Sequence, residues 1–366
     1  MKKRLTLLMV VFVFALGMFF LSTGSYAQEK VISLNYSNFF PAPHKNSILA
    51  EAWCKEVEKR TNGRVKITYF PGGTLTPAAQ TYDSVVKGIA DIGFSVFGYA
   101  RGKFPMMGIM DNPLGYKSGM IATGLANAFY KKFKPKELDD VQVMYVHGHG
   151  PGILHTKKPV YKLEDVKGLK IRAQGTVVPI VQALGGAPVG ATMPETYDAL
   201  RTGVVEGSMA PYEALEGWKW GEVIGSTTEC FGVAYTAVMF VVMNKSKWNA
   251  LPPDIQKTIE AINVEWIDKQ GKVWDEIDKA GKEYSKKRGN KIIALSVKED
   301  ERWRAQMAPI FDAYVKDLEG KGLPGKEALQ FCRDYLKKAD QPAKKEAPAK
   351  KAPVKKAPAK EEAPKK

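Results

Sequence analysis

The sequence predicts an α/β protein of two domains, in which sheets flanked by helices are spanned by one long helix. Three observations carry this reading. Strand and helix patterns alternate between residues 28 and 150, the alternation returns after residue 150, and residues 254–287 hold an apolar stripe at helical spacing. The 366 residues are 45% hydrophobic and 26% charged, which is enough apolar mass for two cores and excludes a wholly disordered or fibrous chain.

The chain opens with Lys2, Lys3 and Arg4, an apolar run from Leu5 to Leu21, and Ser25-Tyr26-Ala27. This is the pattern of an export signal over residues 1–27, cleaved near Ala27, and an uncleaved anchor is the other reading of a run this long. From there Val31–Tyr36 alternates like a strand, Lys45–Thr61 has helical spacing, and Arg64–Phe70 again has period two. Thr76–Gly88 reads as a helix, Asp91–Val96 as a short buried strand, and Ser118–Phe133 as a helix ending before Pro135. Strands Gln142–Val146 and Leu154–Thr156 lead into the second set. That set comprises strand Leu169–Ala173, helix Val177–Leu184, strand Pro188–Gly190, helix Pro194–Thr202 and strand Val205–Met209. The apolar run Val233–Asn244 is long enough to cross back to the first unit.

Leu251-Pro252-Pro253-Asp254 starts a helix whose stripe (Ile255, Ile259, Ile262, Trp266, Val273, Ile277, Tyr284) runs to Lys287. At 1.5 Å per residue it is roughly 50 Å long, more than one α/β domain covers, with Gly271 and Gly281 as candidate bends. The stripe keeps no strict heptad, so a spine along both domains is expected rather than a coiled coil. Helices Glu299–Leu318 and Lys326–Lys338 are expected to close the second unit. The expected division is 28–150 plus 236–280 for the first domain and 151–235 plus 281–338 for the second. Residues 339–366 form a Lys/Ala/Pro-rich tail with no apolar surface to bury.

The net charge of +16 is concentrated at the ends: three basic residues lie in the first four, and residues 341–366 hold nine Lys against three Glu. The tail is either a tether to anionic lipid or cell-wall polymer or a solvated extension without a partner. Nucleic acid is not an expected partner of an exported chain. Cys54, Cys230 and Cys332 are too few and too far apart for a disulfide framework or a zinc cluster, though one disulfide and a free thiol fit.

Catalytic signatures are sparse. Phosphate-loop, nucleophile-elbow and HExxH patterns are absent from the sequence, and His147, His149 and His155 lack a nearby third ligand, so no metal, cofactor or enzyme activity is expected. An exported hydrolase or lyase using His147, His149 or Glu195 is the competing reading. Arg172 ends a predicted strand, the place where open α/β sheets bind ligands, and either holds a ligand carboxylate or pairs with a structural one. Glu195 opens a helix, where it serves the helix dipole, a ligand or the orientation of Arg172. Tyr212, Trp218, Trp220 and Phe231 follow the Gly203–Gly207 turn and suit either an apolar ligand body or core packing. Arg101 lies on the loop after a strand and is a second candidate contact; Phe39, after the first strand, is a further one.

Several motifs resemble one family. Pro43-His44, the stretch Glu58 to Val65, Phe70-Pro71-Gly72-Gly73-Thr74-Leu75, Gly88-Ile89-Ala90-Asp91-Ile92-Gly93, the stretch Asp165 to Arg172, and the stretch Tyr197 to Gly207 occur in the order seen in DctP-type solute-binding proteins of tripartite ATP-independent periplasmic (TRAP) transporters. The resemblance covers about residues 31–335. It implies a type II-like periplasmic binding architecture with mixed sheets, closing on an organic acid whose carboxylate Arg172 binds, and delivery to the TRAP permease membrane subunits. The pattern Asp-Gly-Gln-Glu-Asn-Pro is replaced by Glu206-Gly207-Ser208-Met209-Ala210-Pro211, so the usual Asn contact is missing. A second family Arg is also absent, with His149 nearby. Fewer polar contacts point to a monocarboxylate, a 2-oxo, 2-hydroxy or aromatic acid, with a C4-dicarboxylate as the alternative.

Overall fold

The computed structural model describes residues 31–341. The expected export signal and the tail beyond residue 341 lie outside the described residues. Two sheets form. The first has strand order β2-β1-β3-β10-β4, from β1 (Ile32–Asn38), β2 (Val65–Phe70), β3 (Ile92–Val96), β4 (Val141–Gly148) and β10 (Val238–Asn244). Strand β1 is parallel to β2 and β3, whereas β10 runs antiparallel to β3 and β4. The second sheet has order β11-β9-β5-β8-β6-β7, from β5 (Ile153–Thr156), β6 (Lys170–Arg172), β7 (Ala187–Val189), β8 (Gly207–Ala210), β9 (Ser226–Glu229) and β11 (Lys291–Ala294). Both sheets are mixed and flanked by helices, as the sequence led one to expect.

Side-chain caps set the helix starts. In α1 (Lys45–Arg60) His44 accepts from the Asn46 N–H; after α2 (Thr81–Val86), α3 (Gly119–Phe133) starts where Ser118 accepts from the Ile121 N–H. In the second unit α4 (Val177–Ala183) precedes α5 (Met193–Thr202), which Thr192 and Glu195 cap reciprocally, and then α6 (Glu213–Gly217). A short α7 (Lys245–Asn249) leads to the long α8 (Pro253–Lys287).

Helix α8 is the spine. Its Asn263 accepts from Trp53 Nε1 at 2.9 Å and Gln270 donates to Asn46 Oδ1 at 2.7 Å, both toward α1. One turn later Asp275 accepts the Gly119 N–H at the start of α3, and Asp278 accepts the Glu213 N–H of α6 in the second unit. The candidate bends are corrected: α8 is continuous, and its glycines mark close approaches. A Cβ on Gly271 would stand 3.0 Å from Met120 Cα, and one on Gly281 only 2.1 Å from the Tyr212 carbonyl oxygen.

Other expectations shift too. The crossing strand is shorter than residues 233–244, because Phe231–Val233 forms a 3₁₀ turn and Tyr235 bridges Gly152 before β10 begins at Val238. The single helix expected over 299–318 is two, α9 (Val297–Ala305) and α10 (Ala308–Gly320), since Pro309 carries no N–H to continue the first. Only α9 closes the second unit, where its Glu299 and Asp300 accept the Leu163 and Gly232 N–H groups. Helices α10 and α11 (Gly325–Ala339) return to the first: Tyr314 donates to the Pro105 carbonyl, and Leu318, Leu329 and Cys332 share a core with Leu125 and Phe129 of α3. The three cysteines are buried and unpaired.

Candidate functional site

A cleft opens between the units, with about 570 Å³ of space not filled by atoms. Its walls are largely apolar. Phe39 stacks on Trp218 with ring centroids 6.1 Å apart and planes 14° apart, Phe40 meets Trp274 edge-on, and Val96 and Met239 fill the floor. Arg172 is the one Lys or Arg on its wall among the described residues.

Arg172 ends β6, between Val189 of β7 and Ser208 of β8, and only 5% of it is exposed. Its Nε donates to the Ala191 carbonyl at 2.7 Å, which fixes the plane of the guanidinium. No carboxylate pairs with it among the described residues. A buried cation is costly without a counter-charge, and Arg172 lines the cleft, where an anion could supply one.

Tyr99, from the loop after β3 in the first unit, faces Arg172. Its hydroxyl accepts the Met193 N–H of the second unit at 3.1 Å, so its own proton is free to donate. Burial raises its pKa, opposed by the Arg172 guanidinium and the Met193 N–H, so it stays a neutral donor. His149 is fully occupied: Nε2 accepts the Ala237 N–H at 2.9 Å, which places the proton on Nδ1 against the Gly150 carbonyl. Burial pushes its pKa down to about 4. It contributes a neutral ring beside Tyr235 and Trp274 rather than a charge. His147 and His155 are buried and pushed down to about 3 and about 4, and among the described residues no group of three or more His, Cys, Asp or Glu is arranged to hold a metal.

Of the sequence candidates, the fold brings Arg172, His149, Phe39 and Trp218 together on the cleft wall. The other five lie elsewhere, with Trp220 fully buried and outside the cleft lining. Glu195 is exposed and its Oε2 accepts from both the N–H and the hydroxyl of Thr192, so it is a helix cap. Arg101 is exposed in a neighbouring groove that shares only Gly98 and Asp111 with the cleft. The Tyr212 hydroxyl donates to Glu229, which also pairs with Lys282, and Phe231 is 45% exposed in a separate hollow beside Asp300. Sequence reading missed Tyr99, Asp111, Tyr235 and Trp274. Tyr99 carries the same strand-end signal as Arg172, lying on the loop after β3 two positions before Arg101. Ala210, where the motif comparison puts an Asn, lines the cleft and adds no polar side chain.

Residues 36–317 match the family model described as "Bacterial extracellular solute-binding protein, family 7", the DctP family. The chain belongs to this family. A relative from Comamonas testosteroni, named "Outer membrane transporter protein TsaT", is 27% identical over 319 residues, 86% of this chain and 94% of the relative. Among solved structures, a TRAP solute-binding protein from Rhodoferax ferrireducens with copurified benzoate is 28% identical, covers 84% of this chain and 98% of its own, and superposes with a TM-score of 0.80. A marine metagenome TRAP protein described as specific for aromatic acids, with 3-hydroxybenzoate, is 25% identical over 85% and 100% of the two chains, TM-score 0.81.

The protein is thus a DctP-type receptor of a TRAP transporter for organic acids, a family of periplasmic solute-binding proteins. No helix among the described residues is long and apolar enough to cross a membrane. Ligand capture in such a fold is a hinge motion of one unit toward the other, and only contacts made better in the closed state favour closure. The Tyr99–Met193 hydrogen bond and the Gly98–Gly175 backbone contact already join the two units across the cleft mouth.

Proposed function

We propose that the cleft takes an aromatic monocarboxylate, which the receptor carries to the TRAP permease subunits in the periplasm. The observation behind this reading is the buried Arg172 guanidinium, which forms no ion pair with a carboxylate among the described residues and shares the cleft wall with Phe39, Phe40, Trp218 and Trp274. Arg172 donates to the carboxylate through its planar fork, Tyr99 donates to it from the opposite unit, and the aromatic rings cover the body. One cation on the cleft wall among the described residues favours one charge per ligand: a second carboxylate of a C4-dicarboxylate would meet aromatic rings and no second cation. The benzoate and 3-hydroxybenzoate bound by related proteins support the aromatic choice.

Thermal unfolding against mono- and dicarboxylates tests it. A ligand at 100 times its dissociation constant adds about 2.7 kcal/mol to stability. Aromatic monocarboxylates are expected to raise the midpoint of the wild type and not of Arg172→Ala, which loses about 2–5 kcal/mol of binding, roughly 30-fold to several thousand-fold. A rise with dicarboxylates alone, or one that Arg172→Ala leaves intact, refutes the reading.

A further inference from the structure

One acid on the cleft wall has no part in holding a carboxylate. Asp111 ends the 3₁₀ turn Met107–Asp111, is 3% exposed, and its Oδ1 accepts the Val238 N–H at 2.7 Å as the chain enters β10. Its Oδ2 has no hydrogen-bond partner, and no Lys, Arg or His pairs with it among the described residues. Gly98, which like Asp111 lies on the wall shared by the cleft and the neighbouring groove, stands against that oxygen: a Cβ there would lie 3.6 Å from Oδ2. The Asp111 carbonyl accepts the Thr176 hydroxyl of the second unit at 3.3 Å, so the residue sits where the units meet.

We infer that Asp111 selects among the acids the cleft takes, its Oδ2 hydroxyl donating to an oxygen carried on the ligand's body apart from the carboxylate: a hydroxy- or oxo-substituted aromatic acid. The inference rests on the reading of Arg172 as the carboxylate anchor. Three arguments support it. The Val238 N–H needs an acceptor, which makes Oδ1 the carbonyl oxygen and leaves the acid proton to Oδ2. Burial raises the Asp111 pKa well above its ordinary value, which favours the uncharged acid in a cleft that takes anions. A donor that a ligand encloses without an acceptor is expensive to leave unpaired, so a ligand oxygen satisfies it whereas an unsubstituted ring leaves it orphaned.

The experiment is calorimetry of benzoate, 3-hydroxybenzoate and 4-hydroxybenzoate on the full chain, read as the ratio of benzoate to hydroxybenzoate dissociation constants. The wild type is expected to prefer at least one hydroxybenzoate by roughly tenfold or more. Asp111→Asn keeps both an acceptor for Val238 and an N–H donor toward the cleft, and retains the ratio. Asp111→Leu removes the donor and Gly98→Ala places a methyl against Oδ2; each brings the ratio to within about twofold of one. Should Asp111→Leu not fold, Gly98→Ala decides, since it leaves the Val238 bond in place. Arg172→Ala weakens all three acids together. A wild-type ratio near one, or a preference that survives Gly98→Ala and Asp111→Leu, overturns the role of Asp111 while leaving the anchor standing. Failure of all three acids to bind the wild type overturns both.

Discussion

Replacing Gly281 with Ala sets two effects of known sign against each other. In a helix interior the change gains up to about 1 kcal/mol, because Ala loses less backbone entropy than Gly. Against it, the new Cβ would lie 2.1 Å from the Tyr212 carbonyl oxygen, 2.7 Å from its carbon and 3.1 Å from Glu213 Cα, all backbone atoms that cannot rotate away. Relieving such a contact forces α6 off the spine, an overpacking strain of about 1–3 kcal/mol. That movement also stretches the bond from the Glu213 N–H to Asp278 and the buried bridge from Glu213 to His44, 2.5 Å long, which links the second unit to the first. The net expectation is a loss of about 1–2 kcal/mol, a fall of roughly 2–6 °C in the unfolding midpoint by calorimetry. Gly320→Ala in α10, where nothing lies within 4 Å, isolates the propensity gain and is expected to stabilise slightly. If Gly281→Ala matches Gly320→Ala, the packing argument for the spine is wrong.

Three more outcomes follow from the site. His155 is buried with a pKa pushed down to about 4, so the folded state stays neutral while the unfolded chain protonates below its ordinary 6.5; stability from this group is full above 6.5 and falls toward pH 4. The wild type should lose about 2 kcal/mol more than His155→Asn between pH 7 and 5, measured by urea unfolding. Glu195→Gln and Arg101→Ala should leave ligand affinity within about twofold by calorimetry, because neither side chain reaches the cleft. Removing residues 342–366 should not change affinity either; a large loss would place the tail in the site.

The legible part of this molecule was the part with a period. Alternation in Val65–Phe70, helical spacing from Lys45, and the unbroken stripe on α8 each come from burying one face, and each leaves a repeat in the chain. Ser226–Glu229 has no such pattern, since its Ser-Thr-Thr-Glu strand is buried by pairing with β5 and β11, and its hydroxyls are satisfied by Thr156 and the Val160 carbonyl. Arg172 was found because a strand end has a fixed relation to the cleft. Tyr212 and Phe231 were chosen for their nearness in sequence to Trp218, but a turn and a 3₁₀ segment aim successive aromatic side chains in different directions. Asp111 and Tyr235 lie in aperiodic segments, where only the closing of one unit on the other gives them a common surface.

The return of α10 and α11 to the first unit gives the molecule an even number of crossings. The chain leaves the first sheet between β4 and β5, comes back between β9 and β10, leaves again along α8, and comes back between α9 and α10. Both ends of the described chain therefore ride on one body, and the second unit is a loop-tethered jaw with no free end of its own. A reporter placed in β1 or α11 would stand still relative to the first unit throughout capture. One placed on α5 would travel the full stroke, because the second unit moves between two ends of the described chain that are both held on the first.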